Sequence, residues 1–247
     1  MDFLTFFDIA ERNMEIINPL SEKKIIKLGK YAGFGPHTKI IDFGCGFAEP
    51  MILWSREFGI SAFGIDFRPY AIERATKKIQ SLGMNDRLEV VLADGSKYEF
   101  EKHHYDAATC IGASFIWKGF QPALRVLKTA IKPGGKILIG EPYYLKDASH
   151  LPQDIFGGEK FYYETELLDM IRAENLELEF MVRSDDEDWL TYEAGNWQGF
   201  LAWLDENPDH PERNQVIDRL HSEQDTYIKY GREYLGWAVY ILGEKRN

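Results

Sequence analysis

Residues 39–49 read Lys-Ile-Ile-Asp-Phe-Gly-Cys-Gly-Phe-Ala-Glu, an apolar run of strand length that breaks into a turn carrying Gly44 and Gly46. Glycine tolerates positive φ and leaves the backbone bare, so a ligand can approach the chain closely there. A strand that ends this way and runs into a helical pattern belongs in a parallel sheet covered by helices. The following hundred residues repeat that rhythm. Strands are predicted over Lys39–Phe43, 60–65, Leu88–Leu92, Tyr105–Ile111 and 136–140, with helices over 50–57, 69–82 and 121–130 between them. Pro69 and Pro122 suit first-turn helical positions, where a missing N–H costs nothing. Lys132-Pro133-Gly134-Gly135 stops a helix and turns the chain into the next strand.

Outside this core the pattern changes. Residues 14–32 read as one amphipathic helix, 165–174 as a helix, 176–182 as a strand and 235–243 as a final strand. Residues 184–234 are polar, aromatic and helical in character, and too long for a hairpin turn. They are expected to form a helical cap inserted before the last strand, either a substrate lid or an additional helical layer. The chain of 247 residues accordingly divides into one α/β unit (1–183 with 235–247, including the N-terminal helical segment) and the cap (184–234).

Composition narrows the classes. No stretch approaches the ~20 apolar residues needed to span a bilayer, and the N-terminal segment carries Asp2, Asp8 and Glu11 where a secretory leader would be basic. A cytoplasmic protein without a membrane partner is expected. Cys45 and Cys110 are the only cysteines, with no ligand cluster around them, so neither a disulfide framework nor a metal site is expected. The net charge of -11 opposes a polyanionic partner such as DNA or RNA. Oligomeric state is not encoded in any pattern of the chain.

Taken alone, a G-x-G turn after a strand serves either a dinucleotide or another nucleoside cofactor. A dinucleotide fold wants a third glycine where this chain has Glu49, whose charge at a helix start would repel a pyrophosphate. Asp42 adds a second carboxylate just before the turn, which suits a cationic ligand. Asp66 ends the second strand 20 residues after Gly46, placed to accept from both ribose hydroxyls or, alternatively, to cap the helix that begins at Pro69. Asp94-Gly95-Ser96 ends the third strand as an adenine contact or an ordinary Asp-Gly turn.

The ordered set Asp42-Phe-Gly-Cys-Gly, Asp66, Asp94-Gly95, Tyr105-Asp106-Ala107 and Lys132-Pro133-Gly134-Gly135 resembles the class I S-adenosylmethionine-dependent methyltransferases over residues 20–183. Ala48 departs from the pattern, since the family commonly has a third small glycine there. Gly140-Glu-Pro-Tyr-Tyr144, Tyr192-Glu-Ala, Trp203-Leu-Asp-Glu-Asn-Pro208 and Arg232-Glu-Tyr-Leu-Gly-Trp237 further resemble a bacterial small-molecule-type subfamily, largely without an assigned substrate. The resemblance implies a Rossmann-like, seven-stranded, mostly parallel sheet of order 3-2-1-4-5-7-6 and S-adenosylmethionine as cofactor. It places Gly44, Cys45 and Gly46 against the methionine moiety, Asp66, Phe67 and Arg68 at the ribose and adenine, and Asp94, Gly95 and Ser96 at the adenine. Cys110, Ile111 and Gly112 are expected near the transferable methyl. Both cysteines read as small apolar or turn residues rather than nucleophiles.

The acceptor is less legible. Thr109-Cys-Ile-Gly-Ala-Ser114 lacks both the Asn/Asp-Pro-Pro-aromatic run of adenine-N6 enzymes and the Pro-Cys of cytosine-C5 enzymes. A small-molecule acceptor is therefore expected, the alternatives being transfer to a protein side chain or an RNA position outside the base motifs, or a non-catalytic S-adenosylmethionine-binding regulatory module. Trp117, Glu141, Tyr143, Tyr144, Trp189, Tyr192 and Trp197 are its candidate contacts, as a pocket for an amine or other cation. Glu141 and Glu193 are the candidate general bases, or else buried partners of Arg or Lys. A sulfonium methyl is already activated, so alignment and desolvation suffice for in-line displacement.

Overall fold

The computed structural model describes residues 1–152, 155–157 and 161–245. The remaining positions, which the sequence-based division assigns to the α/β unit, lie outside the described residues. The elements in chain order are α1 (Phe3–Ala10), α2 (Glu22–Ala32), β1 (Lys39–Phe43), α3 (Glu49–Phe58), β2 (Ser61–Asp66), α4 (Pro69–Ser81), β3 (Leu88–Leu92) and β4 (Tyr105–Ile111). There follow a short 3-10 turn (Ser114–Trp117), α5 (Phe120–Ala130), β5 (Ile131–Tyr144), β6 (Tyr162–Tyr163), α6 (Glu164–Ala173) and β7 (Leu176–Arg183). The chain closes with α7 (Asp186–Glu206), α8 (Arg213–Thr226), a π turn (Tyr227–Gly231), α9 (Arg232–Tyr234) and β8 (Leu235–Glu244).

The strands form one sheet in the order β3-β2-β1-β4-β5-β8-β7, with β6 paired to β5. This is the expected order once the two-residue strand β6 takes a number. Pairings from β3 across to β5 are parallel, and β8 runs antiparallel between β5 and β7. The order of strand addition reverses between the parallel neighbours β1 and β4, so their carboxyl ends open a crevice between neighbouring loops.

Apolar side chains cover both faces of the sheet, as parallel strands require. Ile25 and Leu28 of α2 and Met51, Ile52 and Trp54 of α3 are fully buried on one face. Phe120, Leu124 and Leu127 of α5 with Leu167 and Ile171 of α6 are buried on the other. The Trp54 indole N–H donates to the Ile25 carbonyl at 2.7 Å, so α3 and α2 are tied by a satisfied buried bond as well as by packing.

A third, smaller core joins the N-terminus to the helices before β8. Ile9 and Ala10 of α1 pack with Phe200 and Leu204 of α7 and Val216 and Leu220 of α8. Gly199 permits this contact, because a Cβ there would lie 2.0 Å from the Ala10 carbonyl oxygen. Asp2 caps α1, accepting from the Thr5 N–H at 3.0 Å and the Thr5 hydroxyl at 2.6 Å.

One expectation is corrected. The single helix over 14–32 is confined to Glu22–Ala32, because Pro19 would remove a helical bond and clash with the preceding turn. Helix α1, which no sequence pattern above announces, docks on α7 and α8. Among the described residues no helix is long and apolar enough to cross a membrane.

Candidate functional site

The carboxyl ends of β1, β2 and β4 and the loop after β3 surround a cavity of about 350 Å³, a volume typical of small-molecule sites. Gly44 and Gly46 form its floor with φ of +73° and +51°. A Cβ at Gly44 would stand 2.4 Å from the Ala113 Cβ, and one at Gly46 2.4 Å from Ile17 Cδ1. The turn is closed by the Gly44 and Cys45 N–H groups, which donate to the Ile65 carbonyl at 2.8 and 3.1 Å.

Asp66 organises the next loop. One of its carboxylate oxygens accepts from the Gly46 N–H at 2.9 Å and the other from the Arg68 N–H at 2.9 Å. Each oxygen retains further acceptor capacity, because a carboxylate has about four lone-pair positions. Asp42 is buried and accepts from the Thr109 hydroxyl at 2.5 Å. Burial pushes its carboxyl up to about 7, against the lowering effect of that hydroxyl and with a further rise from Asp66.

The lining is acidic. Glu11, Glu15, Asp42, Glu49 and Asp66 all border the cavity, and Arg68 is the one basic residue among its described lining. Arg68 is already engaged: its guanidinium donates to Glu11 at 2.6 Å and to Asp8 at 2.8 Å. Glu49 and Glu15 share Lys78, with Glu49 at 2.5 Å. Burial outweighs Arg68 at Glu11 and pushes that carboxyl up to about 7. A pyrophosphate would find no free cation among the described lining residues, whereas a sulfonium bearing an amino group matches the carboxylate acceptors and the bare Gly44–Gly46 cradle.

Most of the residues expected around a cofactor meet here. Asp42, Gly44, Cys45, Gly46, Asp66, Phe67, Arg68, Gly95, Ile111 and Gly112 all line the cavity. Asp94, Ser96 and Cys110 are not among the lining. The Asp94 carboxylate is taken up locally by the Ser96 hydroxyl at 2.6 Å and N–H at 3.0 Å and by Lys97 at 2.9 Å. These bonds pull it down to about 2. Cys110 is fully buried in β4. Burial raises both cysteine thiols well above their ordinary value, with nearby carboxylates adding to the effect, which keeps them protonated and unsuited to nucleophilic attack.

A second cavity of about 460 Å³ lies among α1, α7, α8 and the residues around Phe156. Phe3, Phe7 and Tyr192 line both cavities and so form the wall between them. Glu193 and Glu223 face the second cavity together with Trp189, Asn196 and Tyr227. Burial, then the neighbouring Glu223, pushes Glu193 up to about 8. Burial likewise raises Glu223 despite Arg219, which donates to it at 2.6 Å.

The structure distributes the expected acceptor contacts unevenly. Trp189 and Tyr192 line the second cavity, and Trp197 packs edgewise against its Tyr227 at 5.9 Å. Trp117 instead packs edgewise on Phe43 at 5.0 Å. Tyr143 is buried and faces a separate cavity with Arg183, while Tyr144 clusters with Phe161 and Tyr163. Successive residues of a strand point to opposite faces, so Tyr143 and Tyr144 diverge rather than share one pocket with Glu141 and Trp117. Glu141 lies on β5 opposite Ala238, close enough to raise the Cys110 thiol.

Several lining residues lay outside the sequence reading: Phe3, Phe7, Glu11, Ile17 and Asn18 of the N-terminal segment, and Glu223 of α8. The one signal that pointed to the N-terminal contribution is Gly195-x-x-x-Gly199 inside a helical pattern. Glycine is unfavourable in a helix interior unless something packs closely against it. Here the something is Met14 against Gly195 and Ala10 against Gly199.

Comparison with known proteins agrees with this cavity. Residues 40–135 match the family model described as a methyltransferase domain. The uncharacterised protein YjhP of Escherichia coli K12 is 32% identical over 246 residues, 98% of this chain and 99% of its own length. The crystal structure of a SAM-dependent methyltransferase from Thiobacillus denitrificans in complex with S-adenosyl-L-homocysteine has a TM-score of 0.91 and 30% identity, covering 99% of this chain and 100% of that one. A SAM-dependent methyltransferase from Geobacter sulfurreducens, also in complex with S-adenosyl-L-homocysteine, gives 0.91 and 32%, covering 98% of each chain. A crevice whose described lining offers a pyrophosphate no free cation and relatives matched end to end lead to one assignment: the chain belongs to the S-adenosylmethionine-dependent methyltransferases.

Proposed function

We propose that this methyltransferase acts on a small-molecule acceptor held in the cavity among α1, α7 and α8. The observation that carries the reading is the shared wall: Phe3, Phe7 and Tyr192 border both that cavity and the acidic one at the strand ends. An acceptor seated against Tyr192 stands one side chain away from the cofactor, and a cavity of about 460 Å³ has the size of a small-ligand site. Residues 184–234 then serve as a cap that, with α1, excludes water from both reactants.

When bound, S-adenosylmethionine supplies a methyl group already activated on a sulfonium. The roles we assign to the chain are positional. Gly44, Cys45 and Gly46 admit the methionine moiety to the bare turn, and the buried Asp42 lies beside its cationic end. Asp66 offers its remaining lone pairs to the ribose hydroxyls, and Phe67 and Gly95 border the adenine. Because the Asp94 and Ser96 side chains satisfy each other, the third loop contributes backbone and the Gly95 surface rather than a carboxylate. Ile111 and Gly112 border the methyl. Glu193, in place of Glu141, is the general base, since it lines the acceptor cavity.

The test is to supply the protein with S-adenosylmethionine bearing a trideuterated methyl and a bacterial extract divided by dialysis. Label in the dialysable metabolites is expected. Label confined to retained protein or RNA would overturn the reading.

A further inference from the structure

We propose that the acceptor is an amine, recognised and deprotonated by Glu193 in the cavity among α1, α7 and α8. The inference rests on the small-molecule reading above and names the chemistry of that acceptor.

Two carboxyl groups from different helices, Glu193 of α7 and Glu223 of α8, face one cavity whose other described walls are largely aromatic and aliphatic. Glu223 is answered by Arg219. Glu193 is half-buried, lines the cavity and has no hydrogen-bonding or ion-pair partner among the described residues. A carboxylate without a partner in such surroundings is costly and is retained where a ligand supplies the opposite charge. The neighbouring rings suit the same ligand. Phe7, Trp189, Tyr192 and Tyr227 border the space around the carboxylates, and aromatic faces attract ammonium groups. An anionic acceptor would oppose ionisation of both carboxyls, and a neutral one would bring Glu193 no opposite charge.

The same residue resolves a chemical difficulty. An ammonium binds a carboxylate well but has no lone pair with which to attack. Burial and Glu223 make Glu193 a stronger base than an ordinary carboxylate, matched to a proton transfer near neutrality. Glu193 takes one proton from the ammonium nitrogen. The freed lone pair forms the nitrogen–carbon bond as the methyl carbon–sulfur pair withdraws onto sulfur. The products are a methylated ammonium, the neutral thioether and protonated Glu193, which loses its proton when the product leaves. Charge and atoms balance with no further reagent. The groups that face Glu193 from the packed elements are Glu223 and Arg219 of α8, Tyr227 of the π turn and the adjacent Tyr192.

The experiment divides the dialysable extract on cation-exchange resin at neutral pH and supplies each part with the full-length protein and trideuteromethyl S-adenosylmethionine. Label is expected on nitrogen, in the retained basic fraction. In Glu193→Gln the acceptor kcat/KM is expected to fall at least about tenfold, the scale of one charge-assisted bond, with cofactor affinity unchanged by titration calorimetry. Glu223→Gln is expected to raise KM less, because Arg219 already answers that carboxylate. Binding is read without turnover by native mass spectrometry. Wild-type protein loaded with S-adenosylhomocysteine and equilibrated with the basic fraction carries a small basic adduct, and Glu193→Gln does not. Label appearing in the unretained fraction, or on oxygen or carbon, would overturn the amine assignment while leaving the small-molecule reading intact. Label found in macromolecules alone would overturn both. Unchanged kinetics in a folded Glu193→Gln would remove Glu193 from the site.

Discussion

The Arg68 guanidinium donates to the Glu11 carboxylate at 2.6 Å, and that single bond ties the loop after β2 to the residue that ends α1. Both side chains are buried, and Asp8 adds a second acceptor at 2.8 Å. The N-terminal helix is thereby latched across the cavity at the strand ends, although nearly sixty positions separate the partners. Arg68→Ala would leave Glu11 buried opposite Asp8 with no cation between them. Removing one partner of a buried pair costs about 3–5 kcal/mol, so a thermal midpoint several degrees lower is expected. Cleavage by a nonspecific protease within the first twelve residues should increase. An unchanged midpoint and digestion pattern would mean that the apolar contacts of α1 hold it unaided.

Asp66 holds two backbone N–H groups with the same carboxylate that we assign to the ribose. Asp66→Asn replaces one acceptor by an NH₂, which would face either the Gly46 or the Arg68 N–H, donor against donor. S-adenosylmethionine affinity is expected to fall at least about tenfold. Titration calorimetry measures it, and wild-type affinity in the variant would show that the ribose is held elsewhere.

Ala48 opens α3 with φ +59°, a left-handed conformation that its Cβ disfavours. Ala48→Gly relieves about 1 kcal/mol of strain. The thermal midpoint of the folded protein should rise by a few degrees; a lower midpoint would mean that the buried Ala48 methyl contributes more through packing than its backbone costs.

Gly199 meets the Ala10 carbonyl oxygen closely enough that no side chain fits without moving backbone. Gly199→Ala should cost about 1–3 kcal/mol through overpacking and displace α1. Cofactor affinity would then fall although position 199 borders neither cavity. Hydrogen exchange at residues 3–10 should accelerate, and unaltered protection there would contradict the prediction.

Asp42 ionises near 3.8 when unperturbed and near 7 in the folded protein. Between those values the native state holds a proton that the unfolded chain has released, so stability falls as pH rises through that window. The full contribution is present below the lower value and lost above the higher. The full loss is about 4 kcal/mol at this size of shift. Comparing urea midpoints of the cofactor-free protein at about pH 5 and about pH 8, the wild type should lose more stability than Asp42→Asn. Glu11 and Glu193, also raised, contribute slopes of the same sign in both proteins. Equal slopes would place the Asp42 ionisation near its ordinary value.

Local pattern carried the αβ alternation, the glycine turn and the strand-end position of Asp66, because each follows from spacing within a few residues. At Asp94 the tertiary structure adds what strand-end position does not show, namely that Ser96 and Lys97, two and three residues on, engage its carboxylate. The same local view joined residues 14–32 into one helix across Pro19. Along β5 the aromatic pair Tyr143-Tyr144 suggested one pocket, and the pleat sends the two rings apart.

The sequence by itself determined the sheet and the glycine turn that floors the cavity at the strand ends. Periodicity, turn residues and the absence of a third glycine are short-range properties, read directly along the chain. Only the tertiary structure decided what closes the cavity and what borders its far wall. Phe3 and Phe7 border one cavity with Tyr192, Glu193 and Glu223 because Gly199 lets α1 lie against α7, bringing together residues about two hundred positions apart. Such contacts leave no periodic trace, since they are selected by burial and charge in the folded molecule rather than by neighbours in sequence. The Gly44–Gly46 turn was visible from the first reading; the latch over it at Arg68 and Glu11 was not.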